Sequence, residues 1–342
     1  MARFTYGGQA LIEGVLMRGR DAIAVALRHP DGSIVYATES LDGPIHRNRL
    51  AKLPLFRGLV VLYETLVIGF RWLSRSANVA ASAEGVELGR GSTALMLVLA
   101  LVLGIGLFFL LPLLLSQLAI RGLLAGFVSG ISGPAGNPLL EHLLEGLIRL
   151  AIFVAYLLAI SLAADIRRVF AYHGAEHMTI HALEHGDPLV PEAVRRYPTA
   201  HQRCGTEFVL VVVVLSILVF SLLAGQNLLV SVVGRIALIP VIVAVSYELL
   251  RFGARHRANR LVRWIYMPGI WLQMITTRQP DDSMIEVAIV SMTEALRADG
   301  ETIPDGTVEL ARRPLDAAVP GSASAVADPP VIAVDPPAEA GP

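Results

Sequence analysis

Cysteine and lysine are almost absent from this chain, each occurring once, as Cys204 and Lys52. One thiol excludes an internal disulfide framework and any zinc or iron–sulfur centre built on cysteine alone within a single chain. Charge is scarce too: 17% of the 342 residues are charged, with 28 Lys+Arg against 29 Asp+Glu. Without a net basic field nucleic-acid binding has no electrostatic support, and no nucleic-acid partner is expected. The opening MARFTYGGQALIEG has one arginine and no continuous apolar stretch, so no secretory signal is expected. Apolar surface, by contrast, is abundant. A hydrophobic share of 54% and a mean hydropathy of +0.60 exceed what the core of a water-soluble chain would bury.

That excess lies in blocks. Residues 93–120 carry no charge over more than the ~20 residues that span a bilayer core. Further apolar runs cover 147–164, 208–224 and 228–250, the last interrupted by Arg235 and Pro240. The spacing predicts about four transmembrane helices. Residues 264–275, WIYMPGIWLQMI, are apolar and aromatic but too short to span, which fits an interfacial or re-entrant piece. Arginines flank alternate connections: Arg71, Arg75 and Arg90; then Arg167, Arg168, Arg195, Arg196 and Arg203; then Arg251 to Arg263. The positive-inside rule therefore places both termini and the 165–207 loop in the cytoplasm of a multi-pass protein of the bacterial inner membrane.

Outside the membrane, residues 1–90 form an expected cytoplasmic α+β segment. AIAVALR and SIVYATE, joined through Asp31-Gly32, predict a β-hairpin. The four glycines of GGQALIEGVLMRGR, around Glu13, suit a turn or a close backbone approach rather than a regular strand. Residues 55–75 predict an amphipathic helix with Arg57, Glu64 and Arg71 on its polar side, packed on the bundle or lying in the interface. The membrane domain covers 91–275. Residues 276–311 hold a second amphipathic helix over 280–298, started by Gln-Pro-Asp-Asp. The Ala/Pro-rich tail, 312–342, has no periodicity and is expected to be disordered. The fold class is mainly α.

Candidate chemistry is concentrated in the central loop. His173-Gly174-Ala175-Glu176-His177 spells H-x-x-E-H, which on a helix puts two imidazoles on one face with a carboxylate beside them. Two such nitrogens can meet one metal ion while Glu176 handles a proton nearby. His181 extends the stripe, Glu184 follows, and Gly186-Asp187-Pro188 stops the helix. His201 and Cys204 form a second cluster just before the third apolar run; both could serve the same metal, or Cys204 could be a small buried residue or a thiolate beside Arg203. Glu248, near the end of the fourth run, could supply a carboxylate ligand or pair with Arg251. Arg235 reads as a snorkelling arginine. The pairs Arg167-Arg168 and Arg195-Arg196 could hold an anionic head group or simply set topology.

Five segments in order, GGQALIEGVLMRG, YHGAEHMTIHALE, HQRCGTEF, SYELLRF and PGIWLQMITTRQPDD, closely resemble the YqhQ family over residues 5–298. These are bacterial membrane proteins described as predicted metal-dependent enzymes. The resemblance places the family's HGAEH pattern on His173, Glu176 and His177, and its H-x-R-C-G pattern on His201, Arg203 and Cys204. Met178 and Glu207 depart from the polar residue and the serine usual at those positions, leaving the candidate ligands untouched.

The resulting expectation is a membrane enzyme using a divalent metal, zinc first, and most plausibly hydrolytic. Glu176 would be its base, His173 and His177 its ligands, and His201, Cys204 or Glu248 would complete the set. A site at the cytoplasmic membrane boundary suits a lipid-linked or membrane-protein substrate. The alternative is a non-enzymatic membrane protein in which the histidines form a sensor or structural staple and the amino-terminal segment docks a partner. A transporter finds little support in two intramembrane ionisable candidates, Glu248 and Arg235.

Overall fold

The computed structural model describes residues 6–41, 53–82, 138–201, 204–221, 228–256 and 259–315, with isolated positions between 91 and 115. The first apolar run, 93–120, and the tail beyond 315 thus lie outside the described residues, apart from those isolated positions. The described chain is mainly helical with one small sheet.

The sheet has five strands, β1 (Gly7–Leu11), β2 (Gly14–Arg18), β3 (Ala22–Arg28), β4 (Ile34–Ser40) and β5 (Arg312–Pro314), in that spatial order. The first four are antiparallel neighbours and β5 runs parallel to β4. The β3–β4 hairpin forms as expected, with Gly32 at φ 85° in its turn. The glycine-rich segment before it is a second hairpin of regular strands, contrary to the expectation of no regular strand, although the expected close backbone approach is present. Its glycines sit within strands because a side chain would collide there: a Cβ on Gly14 would come within 2.4 Å of the Ala26 carbonyl oxygen. β5 likewise replaces the start of the expected disordered tail.

Both faces of the sheet are covered. Val15, Met17, Ala24 and Ala26 face α8 (Asp282–Ala298) and α3 (Ala164–His185). Leu16, Ile23, Val25 and Leu27 face Trp72 and Val79 of α1 (Phe56–Ala81). This double cover explains why β3 is apolar along nearly its whole length. It also corrects the reading of 280–298 as amphipathic: from Met284 to Leu296 every residue of α8 except Glu286 is buried, because sheet and α3 enclose it from two sides. Asp281 caps it, its carboxylate accepting from the Met284 amide at 3.0 Å.

The helical remainder is α2 (Pro138–Ile160), the short α4 (Pro191–Val194), α5 (Gly205–Ser221), α6 (Leu228–Arg255) and α7 (Arg260–Thr276). Among the described residues, one helical segment, Val233–Arg255, is long and apolar enough to cross a membrane. A second qualifies only if Gly146–Ile160 and Ala164–His185, bent by 100° at their junction, make one span. Arg235 and Arg149 both lie over the Phe220 ring, at 5.5 and 6.0 Å from guanidinium carbon to centroid. α1 is turned polar side inward: Glu64 pairs with Arg18 at 2.8 Å, Arg71 pairs with Glu39, and Gln9 packs on Gly69. Phe56, Tyr63, Leu66 and Phe70 face out.

Candidate metal centre

α3 carries the H-x-x-E-H motif, and its end is built as the sequence indicates. Gly186 adopts φ 76°, and its amide and that of Asp187 close on the carbonyls of Leu183 and Ala182. Gly174 lets the helix approach the connection after α7, since a Cβ there would sit 2.1 Å from the Arg278 carbonyl oxygen. The Arg278 amide donates to the Phe170 carbonyl at 2.9 Å in the same contact. The motif thus lies against the end of α7 and against Thr199 and Cys204.

Backbone carbonyls orient the imidazoles. His173 Nδ1–H donates to Thr276 at 2.9 Å, leaving Nε2 at 3.1 Å from Cys204 Sγ. His177 Nδ1–H donates to Thr199 at 2.6 Å and leaves its own Nε2 available. A ring held through one nitrogen by a carbonyl, with the other nitrogen turned to a shared point, is how metal-binding histidines are set. The donor atoms of His173, His177 and Cys204 lie within 4.8 Å of one another. Zinc bonds of ~2.0–2.3 Å place tetrahedral ligands roughly 3.3–3.8 Å apart, so a small contraction would close the set.

Glu176 is beside them and buried. The Gly8 amide donates to its carboxylate, while Oε2 has no hydrogen-bond partner among the described residues. Burial pushes this carboxyl up to about 8, His173 pulling it down and Cys204 adding to the rise. Burial, followed by the neighbouring His173, pushes His177 down to about 2, keeping the ring neutral and able to ligate. Burial raises the Cys204 thiol, with Thr206 hydrogen bonds opposing. A buried carboxylate oxygen without a partner among the described residues, next to two imidazoles and a thiol, is an arrangement that a cation would relieve, so the residues fit a divalent metal.

Of the other expected ligands, His201 is close but belongs to a different group. Its Nε2 lies 3.3 Å from Glu184 Oε2, and the donor atoms of His181, Glu184 and His201 lie within 4.8 Å of one another. Glu248 does not reach either group: Arg57, from α1, donates to it through Nε at 2.7 Å and again through Nη2, and the Leu55 amide adds a contact at 3.2 Å. The carboxylate ligand expected of it is therefore corrected to an α1–α6 ion pair, and its partner is Arg57 rather than Arg251. The arginine pairs are also engaged in part, Arg168 with Glu13 at 2.6 Å and Arg195 with Asp282.

Sequence reasoning missed the residues that hold the ligands. Gln273, fully buried on α7, accepts from the His201 amide and donates to the His201 carbonyl, both at 2.9 Å, so that one side chain clamps that residue's backbone. A lone glutamine inside WIYMPGIWLQMI was the available signal. Gly8 was another: a Cβ there would meet the Glu176 carboxyl carbon at 2.9 Å. On the far side of Gly8, between β1–β2 and α1–α6, lies a cavity of about 520 Å³ lined in part by Gln9, Arg18, Thr65, Ile68 and Tyr247.

A helical unit with a layered α+β part and a His/Cys/Glu cluster at their junction is the class these observations define. Comparison with known proteins places the chain further. The family model DUF1385, described as a protein of unknown function, matches residues 53–298. The uncharacterized protein YqhQ of Bacillus subtilis (strain 168) is 30% identical over 311 residues, covering 86% of this chain and 93% of the relative. The chain belongs to this DUF1385/YqhQ family. No solved structure matches it.

Proposed function

We propose that the protein is a multi-pass, metal-dependent membrane enzyme of hydrolytic type, with its site at the cytoplasmic face of the bacterial inner membrane. The observation that carries this reading is the buried Glu176 Oε2, without a partner, beside His173, His177 and Cys204. Those three residues would hold the ion, zinc first by the mixed N/S donor set. A divalent ion supplies Lewis acidity there, bringing the pKa of water down to ~7.

The chain's own residues do the rest. Glu176 Oε2 accepts and returns the proton, and a carboxyl raised to about 8 by burial can hold a proton near neutral pH. The Gly8 amide fixes that carboxylate, and the carbonyls of Thr276 and Thr199 keep each imidazole in one tautomer and orientation. The exposed apolar sides of α1 and α6 suit a lipid-linked or membrane-protein substrate.

Elemental analysis of the detergent-purified chain tests the site: the expected result is stoichiometric metal, lost in His173→Ala and in Cys204→Ala. Absence of metal from freshly purified wild type prepared without chelator would overturn the reading. Glu176→Gln should keep the metal and lose turnover of membrane-anchored ester or amide probes. The deep burial of Glu176 and His177 also suits a structural staple, and a Gln variant indistinguishable from wild type would favour that reading.

A further inference from the structure

We propose that the chain holds a second divalent-cation site, built by His181, Glu184 and His201, distinct from the His173/His177/Cys204 group. Three donors from two segments converge there, two of them on the last turns of α3 and one 17 residues beyond Glu184. The His181 and His201 rings meet edge to face with centroids 4.6 Å apart, and Glu184 reaches the His201 ring at 3.3 Å.

Each imidazole is held in place from behind. His181 Nε2 is bound to the Ala200 carbonyl at 3.0 Å, which leaves Nδ1 for a ligand, and burial favours its neutral, ligating form. Gln273 clamps the backbone of His201 from both sides. The Ala200 carbonyl thus holds the His181 ring and Gln273 holds the His201 backbone, with the two rings edge to face.

The two sites share no ligand. The second group contains neither Glu176 nor Cys204, and its His201 ring lies 5.7 Å, centroid to centroid, from His177. The second ion is therefore a positioning element. It ties His201, two residues beyond the Thr199 carbonyl and three before Cys204, to α3, and so holds one ligand of the first group in register. Two nitrogens and one oxygen, with Glu184 partly exposed, leave room for water and suit zinc, manganese or ferrous iron. The assignment does not depend on the first group being filled.

Cobalt(II) titration of the full-length, metal-free chain in detergent separates the two sites, because only a cysteine ligand gives thiolate-to-cobalt charge-transfer absorption. The expected result is about two equivalents, one with that absorption and one with ligand-field bands alone. Glu184→Gln, a conservative change at a partly exposed side chain, and His181→Asn should each remove the second equivalent and leave the thiolate signal, with unchanged circular dichroism. A wild type that binds one equivalent carrying the thiolate band overturns the second site and spares the first. Survival of both equivalents in both variants also overturns it. No cobalt at all sinks both sites. Thermal unfolding supplies a readout besides stoichiometry: wild type should gain stability at the second equivalent, and Glu184→Gln should not.

Discussion

Two halves of this chain bury their side chains by opposite rules. In the layered half, α8 lies between sheet and α3, and Ile285, Ile289, Met292 and Leu296 are fully enclosed. In the helical half, Trp264 is 72% exposed, Met274 68% and Ile236 64%, while Ser246 and Gln273 on the same helices are fully buried. What counts as a core position in one half is thus a surface position in the other. The candidate metal centre sits where the halves meet, its histidines on the layered side and their carbonyl and glutamine supports from α7 and the segments flanking it.

The largest expected effect is in the enclosed core. Ile289→Ala should cost roughly 2–5 kcal/mol of stability, whereas Ile265→Ala, on an outward face of α7, should leave the detergent-solubilised melting temperature nearly unchanged. Equal losses in chemical denaturation would dissolve the distinction between the halves. Val241→Arg, exposed on the helical segment that is long and apolar enough to cross a membrane, should disfavour insertion by roughly 2.5–3.5 kcal/mol and deplete the chain from carbonate-washed membranes. If the variant still fractionates with membranes as wild type does, that face is not lipid-facing.

At the junction the expectation concerns pH. The folded Glu176 carboxyl sits at about 8 against an ordinary 4.5, so in chelator-treated protein its contribution to stability is complete below 4.5 and is lost as pH rises through about 8. Glu176→Gln should remove that decline and be the more stable form at pH 9 by a few kcal/mol, with the difference shrinking towards pH 5. Parallel melting curves for the two proteins across that range would count against the burial of a lone carboxylate. The smallest effect is at the Asp281 cap, where Ala should cost about 1 kcal/mol in unfolding experiments.

What the sequence made legible follows the range of the interaction responsible. The Gly186 stop, the Asp281 cap and the Asp31-Gly32 hairpin depend on neighbours a few residues away and were readable. The long apolar segment in α6 follows from composition alone. His173 and His177 share a face through helix periodicity, and Cys204 joins them where α5 begins. The unread features depend on distant partners. Glu248 is claimed by Arg57, 191 residues earlier, and His201 is turned to Glu184 by a glutamine 72 residues later. The β1–β2 hairpin was masked by glycines whose reason is a neighbouring strand or Glu176. α8 looked amphipathic because the sheet covering its second face lies at the other end of the chain.

That last arrangement sets a timetable. The strands carrying Val15, Met17, Ala24 and Ala26 are synthesised first, and the helix that covers them ends at Ala298. At ~5–20 residues per second, roughly 15–55 s pass between the two on the ribosome. Through that interval, while the intervening apolar segments are made, the first hairpins have an apolar face and no lid. A ribosome stalled before residue 282 would therefore present a chaperone-binding surface at the amino terminus that one released after residue 315 would not.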